Sequence, residues 1–307
     1  MKAVFPYEYT PVSEAICVRA DSRAGPARFR VQFPSALDTP ILRNTTVLGD
    51  YVLPGKDGEK RPLVIILHGM GNSSMLPCRL IANSLAKKGI AALTLYQVIH
   101  KDRIPASIKS KFPRLSEDEW FESYQVSVTD ARQALDWAAT RPELCQERIA
   151  ILGISFGGFI ASIAMGLDRR VSAGVFIESA GNSEKITRDS LLLRHQYKSS
   201  PVEYKKNQRN YAEYLKEVAT KGFENVAPEK NSYWTDPKTF SSRVKDRPVM
   251  MLNSWMDELI PRSAVVDLWQ AYDRPALHWF PSTHATIWMW YPLIGRKITS
   301  FLQTNLS

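Results

Sequence analysis

The sequence predicts an α/β architecture: a mostly parallel sheet with helices on both faces and an inserted helical cap. Three observations carry this reading. Leu63-Val64-Ile65-Ile66-Leu67 is a continuous apolar run, the pattern of a strand covered on both faces. Beyond it, short apolar runs alternate with amphipathic stretches almost to the C-terminus. The alternation is broken once, over 182–245, by a polar segment with helical spacing.

Taken in order, residues 28–33 and 45–52 alternate polar and apolar side chains and are expected as half-buried strands at an antiparallel edge. The turn Pro54-Gly55-Lys56-Asp57-Gly58 leads from them to the buried strand 63–67. A helix is expected over 77–88, ended by Gly89, then a strand over 90–95 and a polar loop holding Pro105 and Pro113. Trp120, Tyr124, Val128, Ala131, Leu135 and Ala138 recur every three or four residues and define a helix over 117–140. A strand over 148–154, a helix over 157–166 and a strand over 171–177 follow. After the interruption come a strand over 248–253, a helix over 262–271, a strand over 276–280 and a last helix over 286–303. The interruption carries Tyr204, Tyr211, Leu215 and Val218 at helical spacing among many charges. It leaves from the C-terminal end of a strand, where open α/β sheets place their ligands, and is expected to be a helical cap on a single domain spanning 1–307.

Composition narrows the function classes. Of the 307 residues, 44% are hydrophobic and 23% charged, which is globular and not disordered. No run approaches the ~18 apolar residues of a membrane span, and the first eight residues have no signal-peptide core, so the chain reads as cytoplasmic. Cys17, Cys78 and Cys145 are distant and odd in number, which argues against a disulfide framework or a CxxC zinc site. The net charge of +9 is spread along the chain and interleaved with acids, without the basic cluster and interleaved aromatics of a nucleic-acid binder. No metal, cofactor or nucleic-acid partner is expected, and the oligomeric state is left open.

Chemistry concentrates in four places. Gly153-Ile154-Ser155-Phe156-Gly157 is a G-x-S-x-G pattern between an apolar strand and a small-residue helix, the strand–turn–helix of a nucleophile elbow. Serine needs a base, and in the order Ser, acid, His the base comes late. His284, in the loop after the last strand, fits. His278 lies within that strand and is read as packed; His68, His100 and His195 fall out of order. Asp257, a few residues past the strand 248–253, is the expected acid; Glu178 is the other candidate, and adjacent Glu258 is read as a capping or solvated residue. An oxyanion hole is expected from the backbone N–H groups of Phe156 and Met70, with Gly71 in reserve, because His68-Gly69-Met70-Gly71 follows the strand 63–67. Trp288-Met289-Trp290-Tyr291 is read first as packing of the last helix and second as a substrate-facing patch.

From about residue 45 onward the chain resembles the α/β-hydrolase superfamily. It looks most like serine esterases related to dienelactone hydrolases and to the catalytic domains of prolyl-oligopeptidase-type enzymes. The resemblance rests on His68-Gly69-Met70-Gly71, Gly153 to Gly158, Asp168-Arg169-Arg170-Val171, Asp257-Glu258-Leu259-Ile260-Pro261 and Thr283-His284. It implies an α/β-hydrolase fold. The expected function is hydrolysis of a small carboxylic ester through Ser155, His284 and Asp257, by an acyl-enzyme. Rate should fall below about pH 6.5, where a free imidazole protonates. The alternatives are a thioesterase, acyltransferase or peptidase using the same residues, or a catalytically silent binding protein.

Overall fold

Strands in this chain sort their side chains by parity. In β4 (Arg61–Leu67), Leu63, Ile65 and Leu67 join one buried cluster while Val64 and Ile66 join another. In β6 (Leu144–Ile154), Ile149 and Ile151 face the first cluster, and Ala150, Leu152 and Ile154 the second. This period of two places β4 between two helical layers, as its unbroken apolar run requires. These observations come from a computed structural model, which describes residues 5–11, 15–20, 25–39, 42, 46–55, 59–70, 75–100, 103–109 and 114–307.

The other strands are β1 (Ile16–Arg19), β2 (Ala27–Pro34), β3 (Thr46–Leu53), β5 (Ala91–Tyr96), β7 (Val171–Ile177), β8 (Val249–Ser254) and β9 (Ala276–Phe280). The nine strands form one sheet in the order β1-β2-β3-β5-β4-β6-β7-β8-β9. The first three pair antiparallel, and β3 pairs antiparallel with β5. From β5 to β9 every pairing is parallel. The expected antiparallel edge is therefore present and one strand wider, since β1 is too short and too exposed to announce itself. Of the expected turn at Pro54–Gly58, Lys56, Asp57 and Gly58 lie outside the described residues, as does Pro113.

Helices α1 (Leu76–Ala86) and α10 (Tyr291–Asn305) cover one face. The other face carries α3 (Glu117–Ala139), α4 (Phe156–Leu167) and α9 (Arg262–Ala271), and a one-turn α2 (Ala106–Lys109) sits in the loop after β5. Helix α3 begins at a capping box: Ser116 Oγ accepts the Glu119 N–H at 3.2 Å, and Glu119 Oε2 accepts the Ser116 N–H at 2.8 Å. The last helix starts later than its spacing suggested. Thr286–Trp290 is a 3₁₀ turn, and Pro292 lies in the first turn of α10, where its missing N–H is tolerated and a helix running through it is not.

The interruption at 182–245 is helical: α5 (Ser183–Asp189), α6 (Pro201–Lys221), α7 (Asn231–Trp234) and α8 (Ser241–Val244), joined by 3₁₀ turns. It leaves the C-terminal end of β7 and packs against α4, where a side chain at Gly166 would collide with Phe240. The N-terminal segment completes its core. Phe5 stacks on Phe223 at 5.7 Å, and the buried Tyr7 hydroxyl donates to the Trp234 carbonyl at 2.7 Å. Among the described residues, no helix is long and apolar enough to cross a membrane. Cys17, Cys78 and Cys145 are free thiols.

Candidate active site

Three adjacent parallel strands deliver the site. Ser155 follows β6, Glu178 follows β7, and Asp257 lies three residues beyond β8. Ser155 sits at φ 51°, ψ −120°, at the N-terminus of α4. A serine in this region is strained by ~1–3 kcal/mol and persists only where its surroundings fix it. Here its N–H donates to the Ile177 carbonyl at 2.7 Å and its carbonyl accepts the Gly158 N–H at 2.7 Å. The flanking glycines are required by contact. A Cβ at Gly153 would fall on the Gly157 carbonyl, one at Gly157 on the Leu67 carbonyl, and one at Gly158 would lie 2.8 Å from Ser179 Cβ.

The Ser155 hydroxyl reaches the ring expected as its base: His284 Nε2 is 2.9 Å from Oγ. On the other side, His284 Nδ1 is 2.8 Å from Asp257 Oδ2. With Nδ1 donating to the carboxylate, Nε2 is left to accept the serine O–H. The Asp257 carboxylate is itself fixed, because Oδ1 accepts the Leu259 and Ile260 N–H groups, each at 2.8 Å. The two loops are laced together: Trp255 N–H donates to the Phe280 carbonyl at 2.7 Å and Met256 N–H to the Ser282 carbonyl at 3.0 Å. The expected serine, histidine and aspartate are thus brought together, although 129 positions separate Ser155 from His284.

Glu258 does not cap α9, whose N-cap is Pro261, and it is only partly exposed. Its Oε2 accepts the backbone N–H of His284 at 3.1 Å, and its carbonyl accepts the Leu192 N–H at 3.2 Å and the Ser190 hydroxyl at 2.9 Å. Burial alone would lower the His284 pKa. The hydrogen bond to Asp257 and the neighbouring acidic groups Glu178, Asp257 and Glu258 outweigh burial and leave it above the ordinary imidazole value. That moves the expected acid limb to higher pH than the free-imidazole figure.

Glu178, the rival acid, also lies at the ring. Its side chain is 2% exposed and its Oε2 is 3.7 Å from His284 Nδ1. Burial, reinforced by the Asp257 and Glu258 charges, pushes its pKa up to about 8 against the opposing pull of His284 and Ser254. Ligand atoms of Glu178, Asp257 and His284 lie within 4.8 Å of one another, a spacing a metal could use. The 2.8 Å bond between Nδ1 and Asp257, however, already engages two of the three groups with each other.

For the oxyanion side, Phe156 is the first residue of α4, and the first N–H groups of a helix have no intrahelical partner. Its ring packs edge-on to Tyr124 at 5.1 Å, which leaves the backbone to the site. Met70 lies in the turn after β4, and a Cβ at the preceding Gly69 would be 3.4 Å from Ser155 Cβ. Buried His68 orients that turn. Its Nε2 accepts the Gln97 N–H at 2.9 Å, so Nδ1 carries the hydrogen and donates to the Gly69 carbonyl at 2.7 Å. In a trans peptide the Met70 N–H then points away from His68. Burial drops the His68 pKa to about 4, keeping the ring neutral. Gly71 lies outside the described residues.

His278 is half-buried within β9, His100 packs edge-on to His68 at 5.2 Å, and His195 is exposed in a 3₁₀ turn. The aromatic cluster after His284 divides. Trp288 and Tyr291 pack against the core, with the Tyr291 hydroxyl 2.7 Å from Ser84 Oγ, while Met289 is 82% exposed.

The family model described as the alpha/beta hydrolase fold matches residues 62–201. No curated protein matches the chain by sequence. Among solved structures, an acetyl xylan esterase from Paenibacillus sp. R4 superposes with a TM-score of 0.64 at 20% identity, covering 95% of this chain and 88% of that one. Est1E from Butyrivibrio proteoclasticus gives 0.59 at 18%, covering 89% and 98%. A cold-adapted esterase from an Arctic intertidal metagenomic library gives 0.57 at 17%, covering 91% and 95%.

Proposed function

From the premise that this chain has the α/β-hydrolase fold, we propose that it is a serine hydrolase of small carboxylic esters. One observation supports this above the others: the unbroken hydrogen-bonded path from Ser155 Oγ through His284 to Asp257, at 2.9 and 2.8 Å. The esterase names of the structural neighbours agree with it.

Ser155 Oγ attacks the ester carbonyl as its proton passes to His284 Nε2. The imidazolium formed keeps its Nδ1–H on the Asp257 carboxylate. The carbonyl oxygen, now negative, accepts from the N–H groups of Phe156 and Met70, and loss of one such donor costs ~3–4 kcal/mol. His284 then returns its proton to the departing alcohol, leaving an acyl-serine. Water enters, His284 takes its proton, and the same steps in reverse release the acid and restore Ser155. Both half-reactions need no metal or cofactor.

The test is Ser155→Ala against short p-nitrophenyl esters. Turnover is expected to fall by about 10⁵-fold or more with the fold intact. A fluorophosphonate should label the wild type and not the variant. Retained turnover overturns the reading, and faster cleavage of matched thioesters or amides reassigns the substrate class.

A further inference from the structure

His284 Nδ1 faces two carboxyl groups, and orientation of the ring needs one. Asp257 Oδ2 holds it at 2.8 Å, and Glu178 Oε2 waits at 3.7 Å. Both carboxyl side chains are nearly closed to water, at 3% and 2% exposure. The position is imposed and not incidental. Glu178 takes a left-handed φ of 50° where β7 ends, and its N–H donates to the Leu252 carbonyl at 2.8 Å, which fixes the backbone from which the side chain springs.

The hydrogen bonds around Ser254 indicate which form Glu178 takes at rest. The Ser254 hydroxyl lies 2.7 Å from Glu178 Oε1, 3.0 Å from the Thr283 carbonyl and 3.0 Å from Ser282 Oγ. A carbonyl only accepts, and one hydroxyl hydrogen cannot serve both it and a carboxylate. A proton on Glu178 resolves the conflict: its O–H donates to Ser254, and Ser254 donates to Thr283. The same form relieves the repulsion between two carboxylates sharing one imidazole.

We propose that Glu178 is a reserve acid for His284: a positioning residue that lies against the Asp257–His284 pair as a neutral carboxyl, and that takes the Nδ1–H itself when the Asp257 carboxylate is lost. A ring shift of under an ångström would close the 3.7 Å gap to hydrogen-bond length. Asp257→Ala removes the nearest acceptor and one like charge together, which favours ionisation of Glu178. The titratable groups facing Glu178 are then His284 and Glu258.

This inference rests on the reading of Ser155 and His284 as nucleophile and base. Its experiment compares Asp257→Ala, Glu178→Gln and the double variant in p-nitrophenyl acetate hydrolysis across pH, with circular dichroism confirming the fold. Asp257→Ala should exceed the double variant by at least about tenfold near pH 9, the gap closing near pH 6 as Glu178 protonates. The loss caused by Glu178→Gln should be larger in the Asp257→Ala background than in the wild type. Equal rates and superimposable pH profiles for Asp257→Ala and the double variant overturn the proposal. Should Asp257→Ala fail to fold, Asp257→Ser replaces it, since a serine hydroxyl can still accept the Leu259 and Ile260 N–H groups without presenting an amide NH2 to Nδ1, and the same two outcomes apply. Activity surviving in Ser155→Ala would instead sink the underlying reading, so the two failures are told apart.

Discussion

The turn at 153–158 and the insertion at 182–245 both begin at the C-terminal end of a sheet strand, β6 and β7 respectively, yet different forces hold them. The turn is held by backbone contact. Gly153, Gly157 and Gly158 stand where main chains approach too closely for any side chain, and the strained Ser155 is pinned by hydrogen bonds to Ile177 and Gly158. The insertion is held by side chains. Asp236, 2% exposed, accepts the Ser183 N–H at 2.9 Å and the Lys238 N–H at 3.0 Å, and Tyr211, Tyr214 and Tyr233 pack on one another with ring centroids 4.7 to 6.4 Å apart. Steric constraint of the first kind tolerates almost no substitution. A network of the second kind degrades by degrees.

The comparison is broken most severely by Gly157→Ala. Its methyl has only backbone to displace, so stability should fall by ~3 kcal/mol or more and ester hydrolysis should disappear, as read by thermal unfolding and turnover. Survival of both would show that the turn has slack. His284, between the two regions, gives the next effect. In the proposed mechanism it is neutral when it accepts the Ser155 proton, and its pKa is raised, so the rate should fall as pH drops through a midpoint above ~6.5, about tenfold per unit below it. A midpoint at or below the free-imidazole value in kcat/KM would deny the influence of the surrounding carboxylates.

In the insertion, Asp236→Ala strands two N–H groups and should cost ~2–3 kcal/mol in denaturant unfolding. A change below ~0.5 kcal/mol would mean the network is slack. The smallest effect is expected of Tyr233→Phe. Its buried hydroxyl has no hydrogen-bond partner among the described residues, so losing it should be neutral or stabilise by up to ~1 kcal/mol. A loss above that would reveal a partner such as water.

What could be read from the sequence follows the same division. Ser155 was legible because its constraint is local: the glycines that permit the turn are its neighbours. His284 and Asp257 were legible from their places after β9 and β8, since parallel strands align their ends. Glu178 stood out only as a rival for one role, because a sequence offers one acid per strand end and no sign that two converge. The contact of Glu258 is hidden from the sequence, since its partner is a backbone N–H supplied by a loop 26 positions away. Phe5 and Tyr7 gave no signal as core residues; they fill a space made by segments more than 200 positions downstream. Strand β1 hid for a different reason: four mostly exposed residues carry no burial pattern.

Glu258 has a mechanical consequence. Its side chain seats the backbone of the imidazole loop, its own backbone adjoins Asp257, and its carbonyl tethers residues 190 and 192 at the start of the insertion. One residue therefore links the start of the insertion to the loop that carries the His284 ring, so a displacement of residues 190–192 is passed to that loop.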